Sequence, residues 1–159
     1  MRSSGLIAAS ILLFLFSSAS LSSAADAMVG CSVLTQAQIG AATGVTVGAG
    51  SPIAAPTSCQ WSGSGKIVTL TIRQPLAGKN PVDQFNDSKK RVVPGVTIEP
   101  VSGVGDDAFY IYYAGQNRAG CGLVVKKGSS VFEVRVYGFE LAQAKTVSKT
   151  LTQEAAAKF

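Results

Sequence analysis

"CGLVVKKGSSVFEVRVYG", residues 121–138, decides the fold. Two runs rich in β-branched and aromatic residues flank a Lys-Lys-Gly-Ser-Ser centre, which is the pattern of two strands joined around Gly128. In the second run Phe132, Val134 and Val136 alternate with Glu133, Arg135 and Tyr137, so one face is apolar and the other polar. Such alternation belongs to an antiparallel sheet with one buried face. Upstream, "AFYIYYAG" (108–115) reads as a third strand, with Phe109, Ile111 and Tyr113 on one face and Tyr110 and Tyr112 on the other. "KIVTLTIRQ" (66–74) repeats the alternation through Val68, Leu70 and Ile72, and pairs with "CQWSG" (59–63) across a Gly-Ser-Gly-Lys turn. "PGVTIEPVSGVGDDA" (94–108) is a strand followed by a glycine-rich turn, where Asp106 is placed to bond nearby backbone amides. "VTVG" (45–48) reads as a brief strand, and "AGSPIAAPTS" (49–58) as a loop broken by Pro52 and Pro56.

Helical signals separate these strands. In "LTQAQIGAATG" (34–44), Thr35 is an N-cap with Gln38 in capping-box position, and Gly44 is the stop. In "NPVDQFNDSKKRV" (80–92), Asn80 caps, Pro81 sits at the first helical position, and Lys89, Lys90 and Arg91 complement the dipole at the far end. Val82, Phe85 and Val92 are its expected core contacts. The closing segment carries Leu141, Ala144, Val147, Leu151 and Ala155 at helical spacing. The order helix–strands–helix–strands–helix predicts an α+β fold, an antiparallel sheet with helices packed on one face.

The chain of 159 residues opens on a secretory pattern: Arg2, the apolar run "GLIAASILLFLF", then the small-residue run "SSASLSSAADA". The apolar run is shorter than the roughly 20 residues needed to span a bilayer. Residues 1–24 are therefore expected to be a signal peptide, with cleavage after Ala24 or Ala27, and residues 30–159 a single domain that keeps no stable membrane anchor. The expected location is secreted or periplasmic. Of the 14 Lys and Arg, the leader holds only Arg2, which leaves 13 against 9 acidic residues. The excess is mild and scattered apart from "KKR" (89–91) and Lys126-Lys127, so no nucleic-acid partner is expected. Hydrophobic residues make up 47% and charged residues 14%, a balance that favours a packed core over disorder.

Three cysteines, Cys31, Cys59 and Cys121, meet an oxidising compartment. "MVGC" (28–31) has a small residue before its cysteine, as a lipid-attachment site would. The long polar stretch containing Asp26, between the apolar run and Cys31, argues against lipidation. A lipidated Cys31 leaves Cys59 and Cys121 to pair; otherwise Cys31–Cys59 is the most local pairing, and Cys121 remains a small buried side chain between Gly120 and Gly122.

Taken together, "CSVLTQAQIGAATG", "CQW", "VSGVGDDAFY", "LVVKKGSSVFEVRVYG" and the closing helix resemble a set of small bacterial exported and lipoprotein domains of unknown function. Those domains show Cys-x-Leu-Leu-Thr, Cys-x-Trp and Gly-x-Gly-Asp-x-Ala in this order, and the resemblance covers nearly all of residues 30–157. It implies a Cys31–Cys59 bridge and brings no catalytic residues. Val33 replaces the usual leucine, the separate earlier cysteine that tethers many members is missing here, and Cys121 lies outside the pattern. Trp61 reads as a core aromatic packed on the bridge.

The chain contains no histidine, which removes the usual general base and the commonest metal ligand. No Ser-x-x-Lys stands at a helix start after a strand; "DSKK" (87–90) and "TVSK" (146–149) lie within helical patterns and read as solvated faces, and three cysteines are too few and wrongly spaced for zinc. Asp106-Asp107 lacks the oxygen ladder of a calcium loop, and nothing in the sequence joins Asp106 to Glu133 as an acid–base pair. No cofactor or metal is expected. The composition points to an exported, non-enzymatic binding domain for a cell-envelope protein or a small ligand. The alternatives are a thiol enzyme using Cys121, or weak attachment to anionic surfaces through Lys89, Lys90, Arg91, Lys126 and Lys127. Placing Phe109 and Phe132 with their alternates against the helices leaves Tyr110, Tyr112, Arg135 and Tyr137 as the expected binding platform on the open sheet face.

Overall fold

The computed structural model describes residues 29–113 and 120–159. The expected signal peptide and its cleavage sites lie outside the described residues. Seven strands form one sheet in the order β1-β2-β3-β7-β6-β5-β4, with every neighbouring pair antiparallel. They are β1 (Ser51–Ile53), β2 (Ala55–Gly63), β3 (Lys66–Ile72), β4 (Val96–Val101), β5 (Asp107–Tyr113), β6 (Cys121–Lys127) and β7 (Ser130–Tyr137). The helices are α1 (Gly30–Val33), α2 (Gln36–Thr43), α3 (Pro81–Lys89) and α4 (Leu141–Ala156). The fold is α+β.

Local chemistry explains the helix ends. The Thr35 hydroxyl accepts from the Gln38 backbone N–H while the Gln38 side chain accepts from the Thr35 N–H, and Gly44 closes α2 at φ +70°. Asn80 accepts from the Asp83 N–H ahead of Pro81, which starts α3. The β2–β3 hairpin turns at Ser64 and Gly65, both at positive φ, as a two-residue hairpin turn demands. Asp106 accepts from the Gly128 N–H at 2.7 Å, so the turn before β5 is tied to the β6–β7 turn.

Register places Trp61, Val68, Val136, Cys121 and Tyr112 in one row across the sheet, and Cys59, Leu70, Val134, Leu123 and Tyr110 in the next. These rows share a face with the apolar stripe of α4, of which Leu151 and Ala155 are fully buried, and with Ile39 of α2. The opposite face carries Phe109, Val124 and Val131, covered by Phe85 of α3, whose ring centroid lies 5.1 Å from that of Phe109. The expectation that all helices pack on one face is thus corrected: α3 stands on the other. The reason is that β5 and β6 are apolar on both faces at that end.

Three local expectations also change. Residues 45–48 form no strand; the first strand is β1, inside the stretch expected to be loop. Pro52 lies on this edge strand and Pro100 on the other edge, β4, where a missing N–H is tolerated. Val92, expected in the core, is 95% exposed beyond the end of α3.

Cys31 and Cys59 form a disulfide with Cα atoms 4.9 Å apart, joining α1 to β2. The approach is so close that a Cβ at Gly30 would sit 2.8 Å from the Thr57 carbonyl. The small residue before Cys31 therefore has a packing cause. Trp61 lies on the same face, and a Cβ at Gly50 would touch both its indole and the Cys59 sulfur, so no larger residue fits there. Replacing Cys31 or Cys59 by Ser is expected to cost about 2–5 kcal/mol in urea unfolding, the usual loss for a native bridge. Cys121→Ala should not reproduce that loss.

Candidate functional site

Two rows cross the face that carries α3. One runs Ser58, Thr71, Glu133, Val124, Phe109; the other runs Gln60, Thr69, Arg135, Gly122, Ile111. Phe85 covers the apolar end of the first row. Gln60, Thr69, Arg135 and, beyond them, Tyr137 are only partly buried. Strand β7 supplies the large polar side chains because alternate residues of this central strand face away from α4.

Strand β6 makes room for them. A Cβ at Gly122 would lie 2.4 Å from the Glu133 carboxylate and 3.1 Å from the Arg135 guanidinium, so this pair lies across the glycine. Gly120 has φ +92°, and a Cβ there would meet the Tyr137 ring at 2.6 Å. The two glycines that flank Cys121 are the floor of this face. Arg135 Nε and Nη2 both donate to Glu133 Oε1 at 2.8 Å, with the two side chains 21% and 19% exposed. Burial works against the Arg135 charge, but Glu133 outweighs it and holds the guanidinium pKa above its ordinary value. The result is a pre-ordered planar cation beside an aromatic ring and a row of amide and hydroxyl groups.

The expected platform is divided. Arg135 and Tyr137 lie on this face, whereas Tyr110 and Tyr112 lie on the opposite one, beside α4. There the Tyr110 hydroxyl donates to the Lys145 carbonyl at 3.0 Å, and Tyr112 donates to Glu99 at 2.8 Å. Lys145 donates to the same Glu99 oxygen at 2.6 Å and lies 4.7 Å from the Tyr112 ring centroid. This cluster ties α4 to β4 and β5. The sequence reading missed Glu133, Thr69 and the glycine floor; the signal available was Gly-Cys-Gly inside a strand, since a strand glycine often marks close approach by another group.

Cys121 is buried on the α4 side, and that burial pushes its thiol up to about 11, so it is protonated at neutral pH. Lys89 donates to both oxygens of Asp107 at 2.8 Å, and Lys127 lies 3.6 Å from Asp106, so part of the basic set is already paired. Asp106 and Glu133 are engaged with separate partners, Gly128 with Lys127 and Arg135 respectively. Among the described residues no three His, Cys, Asp or Glu side chains gather as a metal site, and no helix is long and apolar enough to cross a membrane. No family model, curated protein or solved structure matches this chain.

The Glu99 carboxyl is held below its ordinary pKa by the hydrogen bond from Lys145 and then by that from Tyr112. A carboxyl depressed in the folded state adds stability above its unfolded pKa and loses it as pH falls through the folded value. Urea midpoints of the wild type should therefore fall further between neutral and strongly acid pH than those of Glu99→Gln. The difference is expected to be small, because Glu99 is 44% exposed.

Proposed function

We propose that this chain is an exported, non-enzymatic binding domain that presents the part of the α3-bearing sheet face left uncovered among the described residues to a cell-envelope protein or a small ligand. The observation that carries the reading is the Arg135–Glu133 pair lying on Gly122 beside Tyr137, with Thr69 and Gln60 extending the row. Fixing a guanidinium and an aromatic ring on strands lowers the entropy lost when a partner binds. Export rests on the leader pattern, and the disulfide suits an oxidising compartment. The resemblance to exported and lipoprotein domains agrees with it. Neither a cofactor nor a metal enters this reading.

The test is thermal unfolding in the presence of fractionated envelope material. A partner that binds only the native state should raise Tm, and Arg135→Ala or Tyr137→Ala, each compared with its own free form, should remove the rise while still unfolding cooperatively. Fractions that shift both variants as they shift the wild type would exclude this face. The thiol alternative is separated by alkylation at neutral pH. Cys121 should react only as fast as the protein unfolds, and fast reaction of the folded protein would favour the enzyme instead.

A further inference from the structure

A second feature lies along the other flank of α3. The turn through Leu76 and Lys79, where the two backbones exchange hydrogen bonds at 3.0 Å, faces the Gln84–Arg91 side of the helix across a cleft of about 240 Å³. Arg73, at the end of β3, reaches into it. Its Nη1 donates to the Ser88 hydroxyl at 3.0 Å and to the Gln84 carbonyl at 3.3 Å, while Ser88 donates to that same carbonyl at 2.7 Å. The guanidinium is thereby held in place with its other nitrogens unpartnered among the described residues. Arg91 lines the same cleft and has no side-chain partner among the described residues.

The charges there do not balance. Arg73, Lys79 and Arg91 line the cleft with one carboxylate, Asp87, and Asp87 is paired with Lys79. The other carboxylate near Arg73, Glu133, is bonded to Arg135. Burial lowers the pKa of Arg73; Glu133 opposes that, but Arg91 and Arg135 lower it further, the mark of guanidinium groups crowded together. Two arginines lining one cleft suit the oxygens of a doubly charged tetrahedral anion better than a single carboxylate.

We propose that the cleft between α3 and the Leu76–Lys79 turn is a binding site for a phosphate-type oxyanion, clamped between Arg73 and Arg91. The cleft lies on the same sheet face as Arg135, past Thr71 and against α3, but it is lined by other residues, so its test does not depend on binding at Arg135 and Tyr137. Leu76, which lines the cleft, is 70% exposed, and Val92, which follows Arg91 in the chain, is 95% exposed. That frame suits a phosphate carried on an amphiphile, such as an anionic lipid headgroup, as well as a free phosphate.

Inorganic phosphate is the first probe, titrated into the ¹⁵N-labelled full chain. Saturable shifts are expected at the Leu76, Ser88 and Arg91 amides. Arg91→Gln, an exposed change that does not disturb the core, should weaken binding at least tenfold, and Lys90→Gln, which removes the same charge one residue away, should leave it unchanged. No saturable shift, or equal loss in both variants, would overturn the site, the second outcome because it reports only diffuse charge. The second arm is sedimentation with phosphatidylglycerol or phosphatidylcholine vesicles. Binding to the anionic vesicles alone, weakened by Arg91→Gln and by Leu76→Ser, would support the site with a lipid source. A phosphate response without vesicle binding would support it with a soluble source, and vesicle binding unchanged by Arg91→Gln would count against it.

Discussion

Strand β7 sits between β3 and β6 at the centre of the sheet, and its register to both neighbours determines what each face can carry. Val134 lies opposite Leu70 on one side and Leu123 on the other, while Arg135 lies opposite Thr69 and Gly122. A slip of one residue would place Glu133 and Arg135 beneath α4 and turn Phe132, Val134 and Val136 to the other side. Burying those charges beneath Leu151 and Ala155 would cost several kcal/mol per ion, so the alternative is strongly disfavoured. The core and the polar face are two consequences of one register.

The covering helices complete the arrangement from opposite sides. Helix α4 is held by its apolar stripe and, at its edge, by Lys145, which bonds Glu99 on β4 beneath the Tyr112 hydroxyl. Helix α1 is held covalently, and Gly30 lets it approach the β2 backbone. Helix α3 has a smaller anchor, Phe85 in a cluster with Phe109, Val124 and Val131. Its last residue, Lys89, bonds Asp107 at the start of β5, so among the described residues α3 covers the Phe109–Val124–Val131 end of the face and not the row from Gln60 to Arg135.

Features governed by neighbours in the chain were legible in the sequence. The Thr35–Gln38 capping box, the Asn80–Pro81 helix start and the Gly65 hairpin turn each depend on a few adjacent residues, and each lies where the sequence places it. Strand alternation was legible too, but only within each strand. It could not relate the faces of β5 to those of β7, because both faces of "AFYIY" are apolar and the deciding fact is the pairing Tyr110–Leu123–Val134. Tyr110 and Tyr112 were for that reason placed with Arg135 when they belong with the core. Pro52 misled in a different way. Proline marks a break in a central strand but is permitted at an edge, and which strand is an edge is a property of the whole sheet.

The Gly-Cys-Gly segment shows how one tripeptide meets opposite demands on the two faces. Strand geometry sends Cys121 towards α4 and turns both glycines to the other side. On the α4 side a small apolar side chain is needed between Val136 and Tyr112, and a buried thiol meets that need while losing its acidity. On the other side any Cβ would collide with Glu133, Arg135 or Tyr137. The pattern that resembles an exposed reactive cysteine between flexible residues is therefore set by sterics on both faces. Without those two glycines, Arg135 and Glu133 could not lie flat on the sheet, and the guanidinium would have to stand into solvent, where holding it in one geometry costs side-chain entropy.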